Sequence, residues 1–242
     1  MKCFLPIITG ILFFIAGPSE AQVRLSQDSA IYQESIARVH QVYLNEIGDN
    51  AQIYHGAEYI RNGQKSIGFP YFVSDNMQNG SVYYQGVLYS NVNLFYNLIS
   101  DELIVNNYPH NAQITLSPVK ADSFSINNHF FVLLPATKTN GLTNSGYYEV
   151  LYYGEPGLFA KREKRLVVGS GSLDTKYIQY ETYYIRIRNE FHPVDGKSAF
   201  LDLFKDQETA LKKYIRGNKL NFKKDLESSL INTTIYYSRL KN

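Results

Sequence analysis

The segment that decides the fold is GSVYYQGVLYSNVNLFYNLISDELIVNN, residues 80–107. It holds four tyrosines, and its only charged residues are Asp101 and Glu102. If residues 82–89 and 92–98 are extended, successive side chains point to opposite faces. This two-residue period is typical of half-buried β-strands. Such a weakly charged segment is suited to lining a core and poorly suited to catalysis.

Turn residues divide this segment into strands. Ser90 and Asn91 predict one turn, and Asp101 and Glu102 predict the next, so the segment is expected to form a three-stranded antiparallel meander. Gly86 lies inside the first predicted strand, where a glycine typically marks a bulge or a close packing point.

Similar turn signals recur about every ten residues from residue 51 to residue 194. Short segments with this spacing, and without long helical patterns between them, indicate mostly antiparallel strands. Further strands are predicted at 113–116, 123–125, 129–134, 147–153, 165–168 and 176–188.

Helical periodicity flanks the β-rich body on both sides. Residues 28–47 place apolar side chains on one helical face, and beyond residue 194 three helices are predicted with caps at Ser198, Asp206 and Asp225. The expected fold is therefore α+β: a helix within 22–50, a mostly antiparallel, meander- or sandwich-like body at 51–194, and a helical tail at 195–242, together forming a single mature domain, 22–242.

The first 21 residues have the layout of a cleavable signal peptide: a lysine, a short apolar run and the small residues before a cleavage site after Ala21. The only cysteine, Cys3, would leave with this peptide. The mature chain would then lack disulfides, thiolate nucleophiles and any transmembrane helix. We expect export to the periplasm or the outer envelope.

Charge and histidine spacing exclude several classes of function. Twenty-four basic residues against 22 acidic ones argue against a nucleic-acid binder. None of the five histidines has metal-ligand or catalytic spacing, so we expect no enzyme activity, no metal and no cofactor. A hydrolase whose site is assembled from distant residues stays open.

The densest charge run is 161–165, Lys-Arg-Glu-Lys-Arg. Short charge runs are typical of turns, so this run is expected to form a solvated hairpin tip. The alternative is contact with anionic lipid headgroups or phosphorylated glycans at an envelope surface.

One face of the predicted strand 176–188 carries the candidate binding residues Tyr180, Tyr184, Arg186 and Arg188. Tyrosine and arginine are enriched at protein interfaces, and this row is the predicted binding surface. The alternative is cross-strand packing with cation–π contacts inside the protein.

The chain resembles a family of exported, β-rich proteins of Gram-negative bacteria that has no known activity. The motifs that carry the resemblance are Tyr54-x-Gly56-x-x-Tyr59, Gly68-x-Pro70-Tyr71-Phe72, Gly80-x-Val82-x-Tyr84-x-Gly86-x-x-Tyr89, Tyr147-Tyr148-Glu149-Val150-Leu151-Tyr152-x-Gly154 and Lys219-Leu220-x-Phe222. The resemblance implies export and a β-rich body, and it brings no catalytic residue or ligand.

These observations predict a non-enzymatic periplasmic or outer-envelope protein, a binding or accessory module for another envelope protein or a surface glycan. Two alternatives stay open: an outer-membrane β-barrel, suggested by the tyrosine-rich alternating strands, and the periplasmic hydrolase described above.

Overall fold

One antiparallel sheet organises the part of the chain that the structure describes. The computed structural model describes residues 51–61, 63, 66–107, 112–168 and 175–241, all within the unit Asp49–Asn242. Eleven strands in these residues pair in the order β1-β5-β4-β3-β2-β6-β7-β8-β9-β10-β11. Their bounds are β1 Ala57–Glu58, β2 Gln78–Tyr84, β3 Val87–Asn97, β4 Glu102–Asn107, β5 Ala112–Thr115, β6 Ala121–Ile126, β7 His129–Leu134, β8 Gly146–Tyr152, β9 Gly157–Val168, β10 Thr175–Ile187 and β11 Glu190–Pro193.

The predicted body of antiparallel strands followed by helices is confirmed. A single hydrogen-bonded sheet takes the place of the two packed sheets of a sandwich. The predicted helix within 22–50 and the predicted signal peptide, residues 1–21, lie outside the described residues.

The first hairpin differs from the prediction in the place of its turn. β2 ends at Tyr84 and pairs directly with Val87, so the turn consists of Gln85 and Gly86. Both turn residues have positive φ, 51° and 80°, as a two-residue hairpin turn of this hand requires. The predictions of a turn at Ser90-Asn91 and of a bulge at Gly86 were wrong, because the turn residues had been counted into the strand.

Asn91 instead lies inside β3, where its φ of 57° accompanies a shift in the pairing of β2 with β3. This bulge restores the alternation, so that the later residues of β3 face the same side as Val82. The predicted turn at Asp101-Glu102 is confirmed, since Asp101 connects β3 and β4 with a φ of 59°.

The sheet curls, and an aromatic core fills its concave side. The rings of Phe124 and Phe131, on neighbouring strands, stack with centroids 4.7 Å apart, and Tyr96 lies edge-on to Phe124 at 5.0 Å. Tyr96 also contacts Tyr147 at 5.9 Å, although three strands separate β3 from β8 in the sheet order. Only a strongly curved sheet brings these two strands together.

Three helices follow the sheet: α1 Lys197–Leu203, α2 Glu208–Gly217 and α3 Leu226–Lys241. Short 3-10 turns lie at Gln52–Tyr54, Pro118–Lys120 and Lys205–Gln207. The helices cover the β9–β10 part of the sheet, where a second core buries Leu158, Ala160, Tyr183 and Ile185 of the strands with Phe200, Phe204, Leu211, Ile215 and Leu230 of the helical part. No helix within the described ranges is both long and apolar enough to cross a membrane.

One of the three predicted helix caps is confirmed. The Asp225 carboxylate accepts a hydrogen bond from the Ser228 backbone N–H at 3.0 Å, immediately before α3. α1 begins at Lys197, so Ser198 lies inside the helix, and Asp206 pairs with Lys241 at 2.7 Å. The cap at Ser198 was wrong because the helix already begins one residue earlier, and the cap at Asp206 was wrong because that carboxylate pairs with a lysine.

Candidate functional site

The predicted binding row is divided between buried and exposed positions. Tyr184 is 3% exposed and packs edge-on against Tyr148 at 5.7 Å. Tyr180 is exposed, and the Arg165 guanidinium lies 4.8 Å from its ring centre, across the β9–β10 pair. The cation–π packing weighed against the binding surface is therefore present at this end of the row.

The two arginines of the row lie at the far end of β10 and directly after it. Arg186 is half-buried over the ring of Phe159, at 5.4 Å, and donates to the Gly154 carbonyl at 3.2 Å. Arg188 follows the strand with a φ of 57°, and its backbone N–H donates to Glu155. The four residues do not form one continuous exposed surface, and binding by the exposed Tyr180 and Arg188 stays a prediction.

The charge run 161–165 lies in the middle of β9, so the prediction of a solvated hairpin tip was wrong. β9 begins at Gly157, eight residues before the predicted strand, and pairs with β10 without interruption. Lys161 and Arg162 are both 6% exposed. Burying a charge costs free energy unless the charge is paired, so the partners of Lys161 and Arg162 explain how these two side chains can be buried.

Arg162 contacts three carboxylates from three different elements. Its Nε donates to Glu149 Oε2 at 2.7 Å, its Nη1 lies 2.7 Å from Glu181 Oε1, and its Nη2 lies 2.6 Å from Glu227 Oε2. These partners come from β8, β10 and the first turn of α3. We call Arg162, Glu149, Glu181 and Glu227 the ionic cluster.

Two further side chains extend the ionic cluster. His129 Nδ1 lies 2.5 Å from the second carboxylate oxygen of Glu149. The Tyr183 hydroxyl lies 2.7 Å from Glu181 and 3.0 Å from Glu227, so its single hydrogen serves one carboxylate at a time. The cluster thus runs from the aromatic core at β7 to the start of α3.

The electrostatics of the cluster follow from burial and pairing. Burial alone would lower the pKa of Arg162, but attraction to Glu149 and Glu227 raises it above its ordinary value. Burial opposes ionisation of Glu181, yet hydrogen bonds from Tyr183 and Gln179 and the charge of Arg162 together lower its pKa. Glu181 therefore stays ionised at neutral pH.

A pocket of about 320 Å³ opens beside the ionic cluster. Its lining comes from β10, the end of β11 and the first residue of α3: Glu181, Thr182, Tyr183, Pro193, Val194, Asp195 and Leu226. Glu181 belongs both to the pocket wall and to the cluster. The lining therefore combines the apolar residues Pro193, Val194 and Leu226 with two acidic residues, Glu181 and Asp195, and contains no lysine or arginine among the residues that the structure describes.

The described residues contain no group of three or more acidic, histidine or cysteine side chains placed to hold a metal ion. Of the histidines in the described ranges, His129 pairs with Glu149, and His192 lies 3.9 Å from Glu190. The arrangement of the ionic cluster and the pocket is one that can hold a positively charged, partly apolar group.

Sequence reasoning missed the cluster, although one signal for it was present. A thirteen-residue strand at 176–188 was predicted next to a strand of only four residues, 165–168. An antiparallel neighbour that short would leave most of the longer strand unpaired. Extending the shorter strand back through the charge run places Arg162 opposite Glu181, which is the observed pair.

Comparisons of the chain with protein-family models, with curated proteins and with solved structures found no match.

Proposed function

We propose that this protein is a non-enzymatic binding module of the bacterial cell envelope, which recognises another envelope protein through the pocket between β10, β11 and α3. Export is supported by the signal-peptide pattern of residues 1–21 and by the family resemblance of the sequence. Binding is supported by one observation: a pocket whose walls are apolar carries two carboxylates beside a buried cluster that is itself rich in carboxylates.

The dimensions of the pocket favour a single side chain over a large ligand. Its volume of about 320 Å³ is near the lower end of the range for small-molecule sites, roughly 300–1,000 Å³. Lysine and arginine combine an apolar stem with a charged end. Such a side chain would pack its stem on Val194 and Leu226 and bring its charge to Glu181 and Asp195.

The charge balance around the pocket favours the same ligand. Within the ionic cluster one guanidinium faces three carboxyl groups and His129 contacts only Glu149, so Arg162 by itself does not neutralise the negative charge near Glu181 and Glu227. An added cation would improve this balance, and burial in the pocket would strengthen the attraction relative to water.

Capture from detergent-solubilised envelopes of the producing bacterium tests the proposal, with the full mature chain as bait. Asp195 is exposed and lines the pocket, so Asp195→Lys reverses a charge there with little expected effect on folding. Asp202→Lys makes the same charge change on α1, outside the pocket lining. We expect wild type and Asp202→Lys to retain the same envelope protein and Asp195→Lys to lose it.

Three results would contradict the proposal. One is equal retention of that protein by all three baits, and another is retention of no envelope protein by wild type. The third is binding of a glycan array by wild type without capture of a protein, which would assign the pocket to a glycan.

A further inference from the structure

The outer edge of β10 has a gap in its pairing next to the pocket. At one end Ile67 bonds to this edge: its N–H donates to the Thr175 carbonyl at 2.8 Å, and its carbonyl accepts from the Tyr177 N–H at 3.1 Å. At the other end β11 pairs with β10 from Tyr184 onward. Between these two ends, residues 178–182 have no strand partner on this side among the residues that the structure describes.

Alternation along the strand shows which backbone groups point into the gap. Thr175 and Tyr177 bond outward to Ile67, and the Tyr183 carbonyl accepts outward from the Val194 N–H at 2.8 Å. The pairing of β9 with β10 has no register shift between these positions. In an antiparallel ladder the bonding direction alternates from residue to residue, so Gln179 and Glu181 direct both their N–H and C=O groups outward.

The gap is accessible and large enough for a short strand. Residues 179–182 are all exposed. At roughly 3.3 Å per residue, the five residues of the gap span about 16 Å. An exposed row of unpaired backbone groups is a template for an added strand.

The gap ends at the pocket, because Glu181, Thr182 and Tyr183 line it. A strand lying along Gln179 and Glu181 would therefore direct one of its side chains into the space between Tyr183 and Leu226. That space carries the carboxylates of Glu181 and Asp195. Backbone pairing and charge recognition would thus act on the same segment.

We propose that an extended segment of the partner protein, about five residues long and carrying a lysine or arginine, adds to the sheet along the β10 gap and places that basic side chain in the pocket. This inference rests on the proposed function and adds the mode of recognition. Main-chain hydrogen bonds would supply affinity, and the pocket would supply specificity.

Selection of a displayed library of seven-residue peptides on the wild-type chain provides the first test. We expect enriched sequences to share a lysine or arginine among β-branched or aromatic residues. Synthetic copies of an enriched peptide are then methylated at one backbone nitrogen at a time. Methylation should weaken binding at least tenfold at every second position and little between them, because only alternate amides of an added strand face β10.

Variants of the protein provide the second test. Gln179→Pro removes an outward N–H while leaving the pairing with β9 in place, and Gln179→Ala keeps that N–H and serves as the matched control. Both variants lose the side-chain amide that donates to Glu181, and only proline also loses the backbone N–H. We therefore expect Gln179→Pro to bind the selected peptide about tenfold or more weakly than Gln179→Ala does. The methylation series uses the wild-type chain, so it decides the question even if Gln179→Pro does not fold.

The outcomes separate this inference from the proposed function. Loss of partner capture by Asp195→Lys, together with a peptide series that shows no period of two, would leave the pocket as a binding site and overturn strand addition. Enrichment of no peptide, or of peptides without a basic residue, would also overturn it. A period of two combined with loss of binding in Gln179→Pro would support it.

Discussion

The aromatic core and the ionic cluster occupy neighbouring parts of the same concave sheet face, and they are held together by opposite kinds of chemistry. Phe131 of β7 lies directly opposite Glu149 of β8, so the change occurs between adjacent strands. In the aromatic core, rings pack edge-on or stacked, and their contribution scales with the area that they bury. In the ionic cluster, all three carboxylates share the guanidinium of Arg162, and His129 and Tyr183 add further contacts at its margins.

This difference determines how the two regions respond to change. Trimming one ring in the aromatic core leaves the other contacts in place and costs mainly the lost packing. Removing Arg162 leaves three carboxyl groups close together without their cation. Replacing a whole buried ionic group by hydrophobic residues is often neutral for stability, whereas removing one partner of it is strongly destabilising.

Replacement of Arg162 is the change with the largest expected effect. Arg162→Met should lower the free energy of unfolding by about 3–5 kcal/mol, because it strands the carboxylates of a buried ion pair. Arg165→Met is the matched control three residues along the same strand, where the arginine is exposed, and it should cost less than about 1 kcal/mol. Urea unfolding followed by circular dichroism measures both values. Equal costs for the two variants would contradict the assignment of Arg162 as the centre of the cluster.

Removing one hydroxyl from each region gives a smaller effect. Tyr183→Phe removes the hydroxyl that serves Glu181 and Glu227 and should cost about 1.5–3 kcal/mol, the range for hydrogen bonds to charged groups. Tyr147→Phe removes a hydroxyl that donates to the Ala121 carbonyl at 3.0 Å in the aromatic core and should cost only about 0.5–1.5 kcal/mol. The same unfolding measurement compares them. A larger loss for Tyr147→Phe would reverse the proposed contrast.

The smallest expected effect is on the pH dependence of stability in acid. The pKa of Glu181 in the folded protein is below the ordinary value of 4.5, so the unfolded chain takes up this proton first as the pH falls. The contribution of Glu181 is therefore complete above pH 4.5 and is lost as the pH falls through the folded pKa. We expect wild-type stability to decline over this range and Glu181→Gln to decline less steeply. Glu190→Gln, an exposed acid on β11, is the control; a slope for Glu181→Gln as steep as that of wild type and of this control would argue against the prediction.

Strand content was easier to predict than strand ends. Residues 129–134 were predicted as a strand and form β7 with the same bounds, because their apolar run lies between clear turn residues. The hairpin at Gln85 and Gly86 was missed, since a two-residue turn interrupts the alternation too briefly to be seen in a period-two pattern. The missed turn shifts the face of each side chain by one residue, and the bulge at Asn91 shifts it back. The later residues of β3 therefore lie on the faces that the uninterrupted pattern predicted.

The candidate site was predictable only in fragments. Glu181 lay on a correctly predicted strand, but it was assigned no role. Glu227 is 65 residues from Arg162, and no local pattern relates positions so far apart. The predicted binding row is not one exposed surface, because Tyr184 is buried in a cluster with Leu142 of the loop before β8 and Phe191 of β11.

The sequence by itself determined the class of fold, the alternating strands, the helical tail and the absence of cysteine chemistry beyond Cys3, because these depend on composition and on periods of a few residues. Only the tertiary structure decided that Lys161 and Arg162 of the charge run would be buried, and that three distant carboxylates would meet Arg162. It also decided that residues 178–182 of β10 would lie beside a pocket without a strand partner among the described residues. Burial and charge pairing depend on which strands become neighbours. That choice is made by the whole sheet, and a local stretch of sequence contains too little of the information to settle it.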